Sequence, residues 1–313
     1  MITPLLTRLR DNQKEHTIPM ERFYRYVGLS RQGYFQALAR HQHEEQMMVC
    51  IKNQVSAYRG SKDSRAGSRD LFYNLGIKEE YHLGINKFER LMSAYGLSLK
   101  PMRTRVITTR STKQSWNYGN LSKGLIVSGI NVVVVGDLTY VDYGSERYYL
   151  FCLTDVYSAR IVGWEWSRRM RAQNAHGALM MWKQLRGSRA LQGCIHHTDG
   201  GSQYFSDLYL GAMEDLELQI SVARNCLDNG FAEQRNGLLK HHLLTLLPPD
   251  LEGPGLVEEL SKIIHNYNHK RKQAKLGWMS PVEYENYWEG RSDRPKMEMY
   301  DREQGERTRR FGF

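Results

Sequence analysis

The stretch "NVVVVGDLTYVDY" (131–143) decides the fold, because its run of β-branched residues predicts a buried strand, and Asp137 follows the apolar run directly. The next stretch, "RYYLFCLTDVYSARIVGWEWS" (147–167), is typical of two more strands around a turn. "GCIHHTD" (193–199) and "QISVA" (219–223) predict a fourth and a fifth strand.

Helical patterns separate and follow these later strands. An α/β fold is therefore expected, with a mixed five-stranded sheet flanked by helices. The helical stretches are "AQNAHGALMMWKQLRG" (172–187), "SDLYLGAMEDLEL" (206–218), "DNGFAEQRNGLLKHHLLTLL" (228–247) and "GPGLVEELSKIIHNYNHKRKQ" (253–273).

The N-terminal third is all helical in pattern. "IPMERFYRYVGLSRQGYFQALARH" (18–41) has the outline of a helix-turn-helix whose second helix is capped by Ser30. A second helical unit follows, and its last helix carries apolar residues on one face over 84–98.

The charge of the 313-residue chain points to a polyanionic partner. The net charge is +10 and the isoelectric point lies near 9.3. Residues 1–125 hold 21 Lys and Arg against 10 Asp and Glu, a net +11, whereas residues 126–313 hold 23 against 24, a net −1. Such an excess favours nucleic acid. The basic stretch 99–124 predicts a linker along a phosphate backbone, with an ordinary hinge as the alternative.

Nothing in the sequence indicates export or a membrane. The N-terminus lacks a signal-peptide core, and the apolar run at 124–135 is too short and too β-branched to span a bilayer. We therefore expect a soluble, cytoplasmic chain. The cysteines lack zinc spacing and are expected to be reduced, buried thiols. They are Cys50, Cys152, Cys194 and Cys226.

Three acids stand where chemistry could occur. Asp137 and Asp199 each follow a predicted strand, and Glu233 lies one turn into a predicted helix that Asp228 could cap. An Asp in a turn is common by itself. Three clustered carboxylates, however, would repel one another unless cations lay between them. Two Mg²⁺ ions about 4 Å apart are suited to phosphoryl transfer, with substrate oxygens completing their coordination.

Four motifs in this order resemble those of the IS3 family of insertion-sequence transposases, in particular the second open reading frame product. The resemblance spans about residues 18–288. In one departure, 33 residues lie between Asp199 and Glu233, fewer than is common in the family. The missing residues fall in the loop 221–229. The motifs are "GDLTYV" (136–141), "HHTDGGSQYFS" (196–206), "DNGFAEQRNGLLK" (228–240) and "YNHKRKQAKLGWMSPVEYE" (267–285).

The resemblance implies an RNase H-like integrase core with a DDE site made of Asp137, Asp199 and Glu233. These residues would be both the catalytic groups and the ligands of two Mg²⁺ ions, for which Mn²⁺ can substitute. The implied partners are double-stranded DNA, as terminal inverted repeats and target, further copies of the chain, and an upstream helix-turn-helix protein or fusion. The implied location is the bacterial cytoplasm, on the nucleoid when DNA is bound.

The expected organisation has five parts, of which the last should be loosely ordered unless a partner holds it. They are a helix-turn-helix-like segment (1–45), a second helical DNA-binding unit (46–100), a basic linker (101–128), the integrase catalytic core (129–288) and a charged tail (289–313).

Candidate DNA contacts are basic and polar residues near these motifs. Lys240 lies seven residues after Glu233, so both should project from one helix face, although a solvated lysine is the alternative. Gly200 and Gly201 are expected to let DNA approach closely. The other candidates are Arg65, Arg69, Lys87, Arg90, Arg103, Arg105, Arg110, Gln203, Tyr204 and Arg271.

The sequence predicts less specific roles for four further residues. His197 should point to the same side of its strand as Asp199, either as a supporting or DNA-contacting group or as a packed core histidine. Asp155 is expected to cap its turn. Trp164 and Trp166 share a strand face and suit the core or a subunit contact.

Two other functions compete with a transposase. A catalytically silent DNA-binding regulator derived from such an enzyme is disfavoured, because Asp137, Asp199 and Glu233 are all present. An RNase H-type nuclease without strand transfer is disfavoured by the basic helical front part, which such a nuclease does not need.

Overall fold

The computed structural model describes residues 21, 24, 25, 28–99, 117–223, 226–299 and 310–311. Three predicted DNA contacts, Arg103, Arg105 and Arg110, lie outside these ranges, as do most of the first helix of the predicted helix-turn-helix and most of the basic linker. Within the described ranges, no helix is long and apolar enough to cross a bilayer.

The N-terminal part is helical, as predicted. Its first long helix is capped at Ser30, whose Oγ accepts the Gly33 N–H at 3.0 Å. This helix runs without a break past residue 45, so the expected division between the two helical units falls inside one element. The helices here are α1 (Arg31–Ser61), α2 (Ser68–Asn74), α3 (Ile77–Tyr81) and α4 (Ile85–Ala94).

These helices enclose a small core of their own. Phe88 and Met92 of α4 pack with Met48 and Ile51 of α1, all fully or almost fully buried. Cys50, also on α1, is exposed, so the expectation that all four cysteines are buried is wrong. Cys152 and Cys194 are buried, whereas the side chain of Cys226 lies outside the described atoms.

The predicted five-stranded mixed sheet is confirmed. Its strand order is β4-β3-β2-β5-β6, with β2–β3 and β3–β4 antiparallel and β2–β5 and β5–β6 parallel. The described strands are β1 (Ile126–Val127), β2 (Val133–Tyr143), β3 (Glu146–Asp155), β4 (Ile161–Ser167), β5 (Ile195–Thr198), β6 (Gln219–Val222), β7 (Lys296–Glu298) and β8 (Arg310–Phe311).

Helices cover both faces of this sheet. One face, with Val134 and Phe151, packs on the first two core helices, and we call it the α5 face. The other, with Leu150 and Cys152, packs on the longest core helix, and we call it the α8 face. The core helices are α5 (Ala172–Arg186), α6 (Asp207–Asp215), α7 (Gly230–Leu238), α8 (Gly253–His269) and α9 (Pro281–Trp288).

Helix α7 ends earlier than the pattern predicted. Its backbone changes to a π turn at Leu239–Leu243 and then to a 3₁₀ turn at Leu244–Leu246, where a single helix to residue 247 was expected. A π turn holds an extra residue per turn and rotates the following side chains around the axis. Lys240 lies in this turn, which the periodicity of an ideal helix does not anticipate.

Residues on both sides of the predicted core, before residue 129 and after residue 288, take part in backbone pairing. The Val222 N–H donates to the Gly119 carbonyl at 3.0 Å, so the described end of the expected linker packs on the sheet. A second sheet has the order β1-β7-β8 and therefore includes part of the predicted tail. The expectation that this whole tail is loosely ordered is wrong for Lys296–Glu298, since that strand pairs with neighbours on both sides.

The helical unit is fastened to the core through Asp63. Its carboxylate accepts from Arg271 Nη2 at 2.7 Å and lies 2.8 Å from His242 Nδ1. Burial alone would raise the pKa of Asp63, but the His242 and Arg271 contacts lower it to about 2. Nearby, the rings of Tyr73 and Trp278 stack with centroids 3.8 Å apart. Arg271 was predicted to contact DNA; that prediction is wrong, because its guanidinium is buried against Asp63.

Two smaller predictions hold. Asp155 caps its turn, accepting the N–H groups of Asn131 at 2.8 Å and Ser158 at 3.0 Å. Trp166 is a core residue, buried and stacked on Tyr148.

Candidate active site

Strand register brings the two predicted aspartates side by side. Gly136 of β2 pairs with Thr198 of the parallel strand β5. Asp137 and Asp199 are the next residues, and parallel neighbours lie about 4.8 Å apart with paired side chains on the same face. That face is the α8 face, because Asp137 pairs across β3 with Cys152.

The carboxylate of Asp137 is buried and hydrogen-bonded on both oxygens. Its Oδ1 accepts the Leu138 N–H and its Oδ2 accepts the Asn236 side-chain amide, each at 2.8 Å. Burial and the charge of Asp199 nevertheless raise the pKa of Asp137 to about 7, with a smaller contribution from Glu233. Positive charge beside this carboxyl would therefore favour its ionised form at neutral pH.

The turn after β5 holds Asp199 in place. Its Oδ1 accepts the Gly201 N–H at 3.1 Å, and burial raises the pKa of its carboxyl. Gly200 has φ +79°, which glycine adopts without strain. A Cβ on Gly201 would lie 2.7 Å from Gln203 Oε1 and 3.3 Å from Asp199 Oδ1. Glycine at these two positions therefore shapes the turn, a reason additional to the expected room for DNA.

Glu233 reaches the same site from the first turn of α7. Burial and the charge of Asp199 raise the pKa of its carboxyl, although the residue is exposed. The charge of Asp199 thus raises the pKa of both Asp137 and Glu233, and the charge of Glu233 adds to the shift at Asp137. The predicted cap is corrected: α7 begins at Gly230 with Asn229, and not Asp228, at its N-cap.

The three acids suit a hard divalent cation in chemistry. Among the described residues, no three metal-ligating side chains converge closely enough to enclose an ion as they stand. The donors are nevertheless carboxylate oxygens, the ligands that Mg²⁺ prefers. Because the charge of Asp199 raises the pKa of Asp137 and of Glu233, a cation among the three would be favoured electrostatically.

Asn236 belongs to this site and was not predicted. It holds Asp137 Oδ2 from α7, three residues after Glu233. That spacing is one helical turn, so it places both side chains on the face of α7 that meets the sheet. The spacing was available in the sequence, but an asparagine gives no signal until its acceptor is known.

Lys240 lies further along the sheet than its spacing suggested. The pKa of Asp142 is lowered mainly by Arg147, and the charge of Lys240 contributes a smaller part. Asp142 is five residues beyond Asp137 on β2, about 16 Å at strand rise. Lys240 is therefore near the C-terminal half of β2, where it remains a candidate phosphate contact.

Two predicted DNA contacts after Asp199 are wrong. Gln203 and Tyr204 lie in a short 3₁₀ turn, and only 8% and 3% of their surfaces are exposed. The Tyr204 ring packs between those of His196 and Tyr209 in the core on the α5 face. The apolar core on the α5 face explains this burial. The polar residues that precede them in the sequence gave no indication of it.

The predicted contacts in the helical unit lie on its surface to differing degrees. Arg69 pairs with Glu89 at 2.9 Å and Lys87 lies 3.9 Å from Glu44, both with exposed cations. Exposed ion pairs of this kind are weak, so phosphates can replace the carboxylates. Arg65 is half-buried and Arg90 is exposed, and these four residues stay candidate contacts.

Comparison with known proteins shows the family of the chain. The family model described as "Integrase core domain" matches residues 128–226. An uncharacterized 31 kDa protein of insertion element IS600 from Shigella sonnei is 31% identical over 267 residues, covering 82% of this chain and 95% of that protein. Transposase InsF for insertion sequence IS3A from Escherichia coli is 30% identical over 177 residues, covering 53% of this chain and 58% of that protein.

One solved structure illustrates the fold. The HTLV-2 integrase catalytic core domain, in complex with magnesium, aligns with a TM-score of 0.42 at 18% identity, over 50% of this chain and 97% of that one. The family model and the strand order, rather than this modest score, establish the integrase-type core.

The strand order and the family match together define an integrase-core enzyme, a polynucleotidyl transferase that acts on DNA. Within that class, the chain belongs to the IS3 family of insertion-sequence transposases.

Proposed function

We propose that this transposase binds the ends of its own insertion sequence, cleaves a phosphodiester bond there and joins the freed 3′-OH to a target strand. Asp137, Asp199 and Glu233 carry the chemistry. The observation that supports this most is geometric: the register of β2 and β5 places Asp137 and Asp199 side by side, and Asn236 of α7 donates to Asp137 Oδ2 one turn after Glu233.

The chemistry is two in-line displacements at phosphorus. In the first, a water oxygen bonds to phosphorus, the P–O3′ bond breaks, and the departing oxygen takes a proton to become a 3′-OH. In the second, that 3′ oxygen bonds to a target phosphorus and displaces the target's own 3′ oxygen. Mg²⁺ bound by the acids would supply Lewis acidity for the attacking and leaving oxygens. The acids hold the cations, and Asn236 holds Asp137 in one orientation.

Recognition of DNA is assigned to the basic front part. Residues 1–125 carry net +11, and the core and tail carry −1. We propose that Arg65, Arg69, Lys87, Arg90 and, outside the described residues, Arg103, Arg105 and Arg110 contact phosphates of the terminal repeats. Lys240 contacts the strand that leaves the catalytic site.

The working unit is proposed to be a multimer on DNA, since two element ends and a target must be brought together. An upstream helix-turn-helix protein or fusion remains part of this proposal, as does action in the bacterial cytoplasm.

The test is a joining assay with purified protein, labelled DNA carrying the element's ends, a target plasmid and Mg²⁺. We expect nicked ends and then covalently joined products. Nicks without joining would support a nuclease instead. Specific binding with neither product would support the catalytically silent regulator and overturn the proposal.

A further inference from the structure

His197 connects the strand that leads to Asp199 with the segment that leads to Glu233. It is fully buried on the α8 face, two residues before Asp199. Its Nε2 lies 3.1 Å from the Asp228 carbonyl, in the 3₁₀ turn Cys226–Asn229 that precedes α7. Its Nδ1 lies 2.8 Å from Ser221 Oγ, on the adjacent strand β6.

The partners determine which ring nitrogen carries the proton. The Asp228 carbonyl can only accept, so His197 Nε2 must donate. A neutral imidazole then accepts at Nδ1, and the Ser221 hydroxyl is its donor. Ser221 Oγ in turn accepts the Leu121 N–H at 2.8 Å. The three hydrogen bonds therefore share one donor-to-acceptor direction. They run from Leu121, beside β6, through Ser221 and His197 to the Asp228 carbonyl, just before α7.

We propose that His197 is a positioning residue that sets the separation of Asp199 and Glu233 by fixing the start of α7 against the sheet. This role rests on the proposed function of the three acids. It decides between the readings left open by the sequence, because a buried ring bonded on both nitrogens cannot reach DNA.

The role also accounts for the shortened loop. The loop between β6 and α7 holds fewer residues than is common in the family, yet α7 still meets the sheet beside the acids, since Asn236 donates to Asp137 Oδ2 at 2.8 Å. A bond from His197 to the last turn before α7 fixes where the loop ends, whatever its length upstream. Outer groups of this kind typically change metal affinity or activity by roughly 10- to 100-fold when removed.

His196 provides a matched control on the same strand. It is equally buried but faces the α5 side, where its nitrogens lie 3.1 Å from the Val134 carbonyl and 2.7 Å from the Tyr209 hydroxyl. Those partners belong to strand and helix packing and not to the acids. Replacing His196 should therefore affect stability alone.

The test compares His197→Gln with His197→Asn in the full chain, beside His196→Asn. A Gln amide nitrogen can reach the position of Nε2 and restore the donor to Asp228, whereas Asn reaches only the position of Nδ1. We expect His197→Asn to lower strand transfer and the calorimetric affinity for Mn²⁺ by roughly 10- to 100-fold. His197→Gln should stay within a few-fold of wild type, and DNA binding should hold in both.

Several outcomes would overturn the positioning role. One is equal loss in His197→Asn and His197→Gln that follows their melting temperatures. Another is wild-type Mn²⁺ affinity and joining in His197→Asn, or a loss as large in His196→Asn.

If His197→Asn does not fold, Ser221→Ala is used, which removes the donor that fixes the ring's tautomer. We expect a several-fold loss of Mn²⁺ affinity there, and an unchanged affinity would contradict the role. Should wild-type protein fail to join DNA, the proposed function fails, but the Mn²⁺ affinities still test His197.

Discussion

At the scale of single residues, the proposed active site is a set of three carboxylates whose charges repel one another. Strand ends and helix starts in the sequence were enough to propose Asp137, Asp199 and Glu233 for it. They could not identify Asn236 or the role of His197, because each depends on a partner far along the chain. Asn236 and Asp137 are 99 positions apart, and His197 and Asp228 are 31 apart.

Replacing Asp137 should stabilise the metal-free protein at alkaline pH. Its folded pKa of about 7 exceeds its ordinary 3.8, so the charged form is disfavoured in the fold and stability is lost as pH rises between these values. Asp137→Asn removes that loss. We predict a higher melting temperature for Asp137→Asn than for the wild-type protein at pH 8 but not at pH 3. The difference should be about 2–4 °C for each kcal/mol of destabilisation that the substitution removes.

Metal should reverse the order of stability. Added Mg²⁺ is expected to raise the melting temperature of the wild-type protein and to leave Asp137→Asn nearly unchanged. An identical Mg²⁺ response in the two proteins would mean that Asp137 is not a ligand.

At the scale of elements, the interruption of α7 and the attachment of α1 shape the site's surroundings. The helical patterns predicted both segments but not the π turn at Leu239–Leu243, which changes the direction of Lys240. Nor could they predict that Arg271 pairs with Asp63, 208 positions away. An arginine in a basic motif gives the same signal whether it meets a phosphate or a buried carboxylate.

Lys240→Ala should weaken strand transfer more than DNA affinity. One lysine among many phosphate contacts adds little to total binding, yet beside β2 it helps to orient the strand near the acids. We predict a loss of joining on the order of tenfold, with the dissociation constant for end DNA within about twofold. Lys262→Ala, on α8 and paired with Glu258 and Glu259, is the control. Equal losses in joining and binding would reduce Lys240 to general backbone attraction.

The Asp63 ion pair should contribute stability that depends on pH. Its folded pKa of about 2 lies below the ordinary 3.8, so its stabilisation is complete above about pH 4 and is lost as pH falls toward 2. Asp63→Asn should lower the free energy of unfolding by about 3 kcal/mol at pH 7, because Arg271 is left buried without a charge partner.

Urea unfolding at pH 7 and pH 2.5 measures this difference. The control is Asp142→Asn, whose partner Arg147 is exposed and which should change stability little. A deficit in Asp63→Asn that is as large at pH 2.5 as at pH 7 would show that charge is not its cause.

At the scale of the whole molecule, a basic helical part stands before a nearly neutral catalytic core. The sequence was sufficient for the five strands, since β-branched runs are local signals. It did not show that residues 119, 125–127 and 297–299 form backbone pairs outside the five strands, because composition does not reveal such pairing.

Removing front-end charges should flatten the salt dependence of DNA binding. Each phosphate contact contributes about −0.9 to the slope of log affinity against log salt. Arg69→Ala with Lys87→Ala should therefore reduce the slope by about 1.8. Lys183→Ala with Arg189→Ala, on the α5 side of the core, is the matched control and should leave the slope unchanged. The reverse result would move recognition into the core.

The central claim is that Asp137, Asp199 and Glu233 form one catalytic site. The most direct measurement is strand transfer in Mg²⁺ by Asp137→Asn, Asp199→Asn and Glu233→Gln, each with its affinity for end DNA measured alongside. We predict that every one of the three abolishes cleavage and joining while DNA binding survives, because two acids cannot replace the third as ligands. Near-normal strand transfer by any of these variants would contradict the claim for that residue.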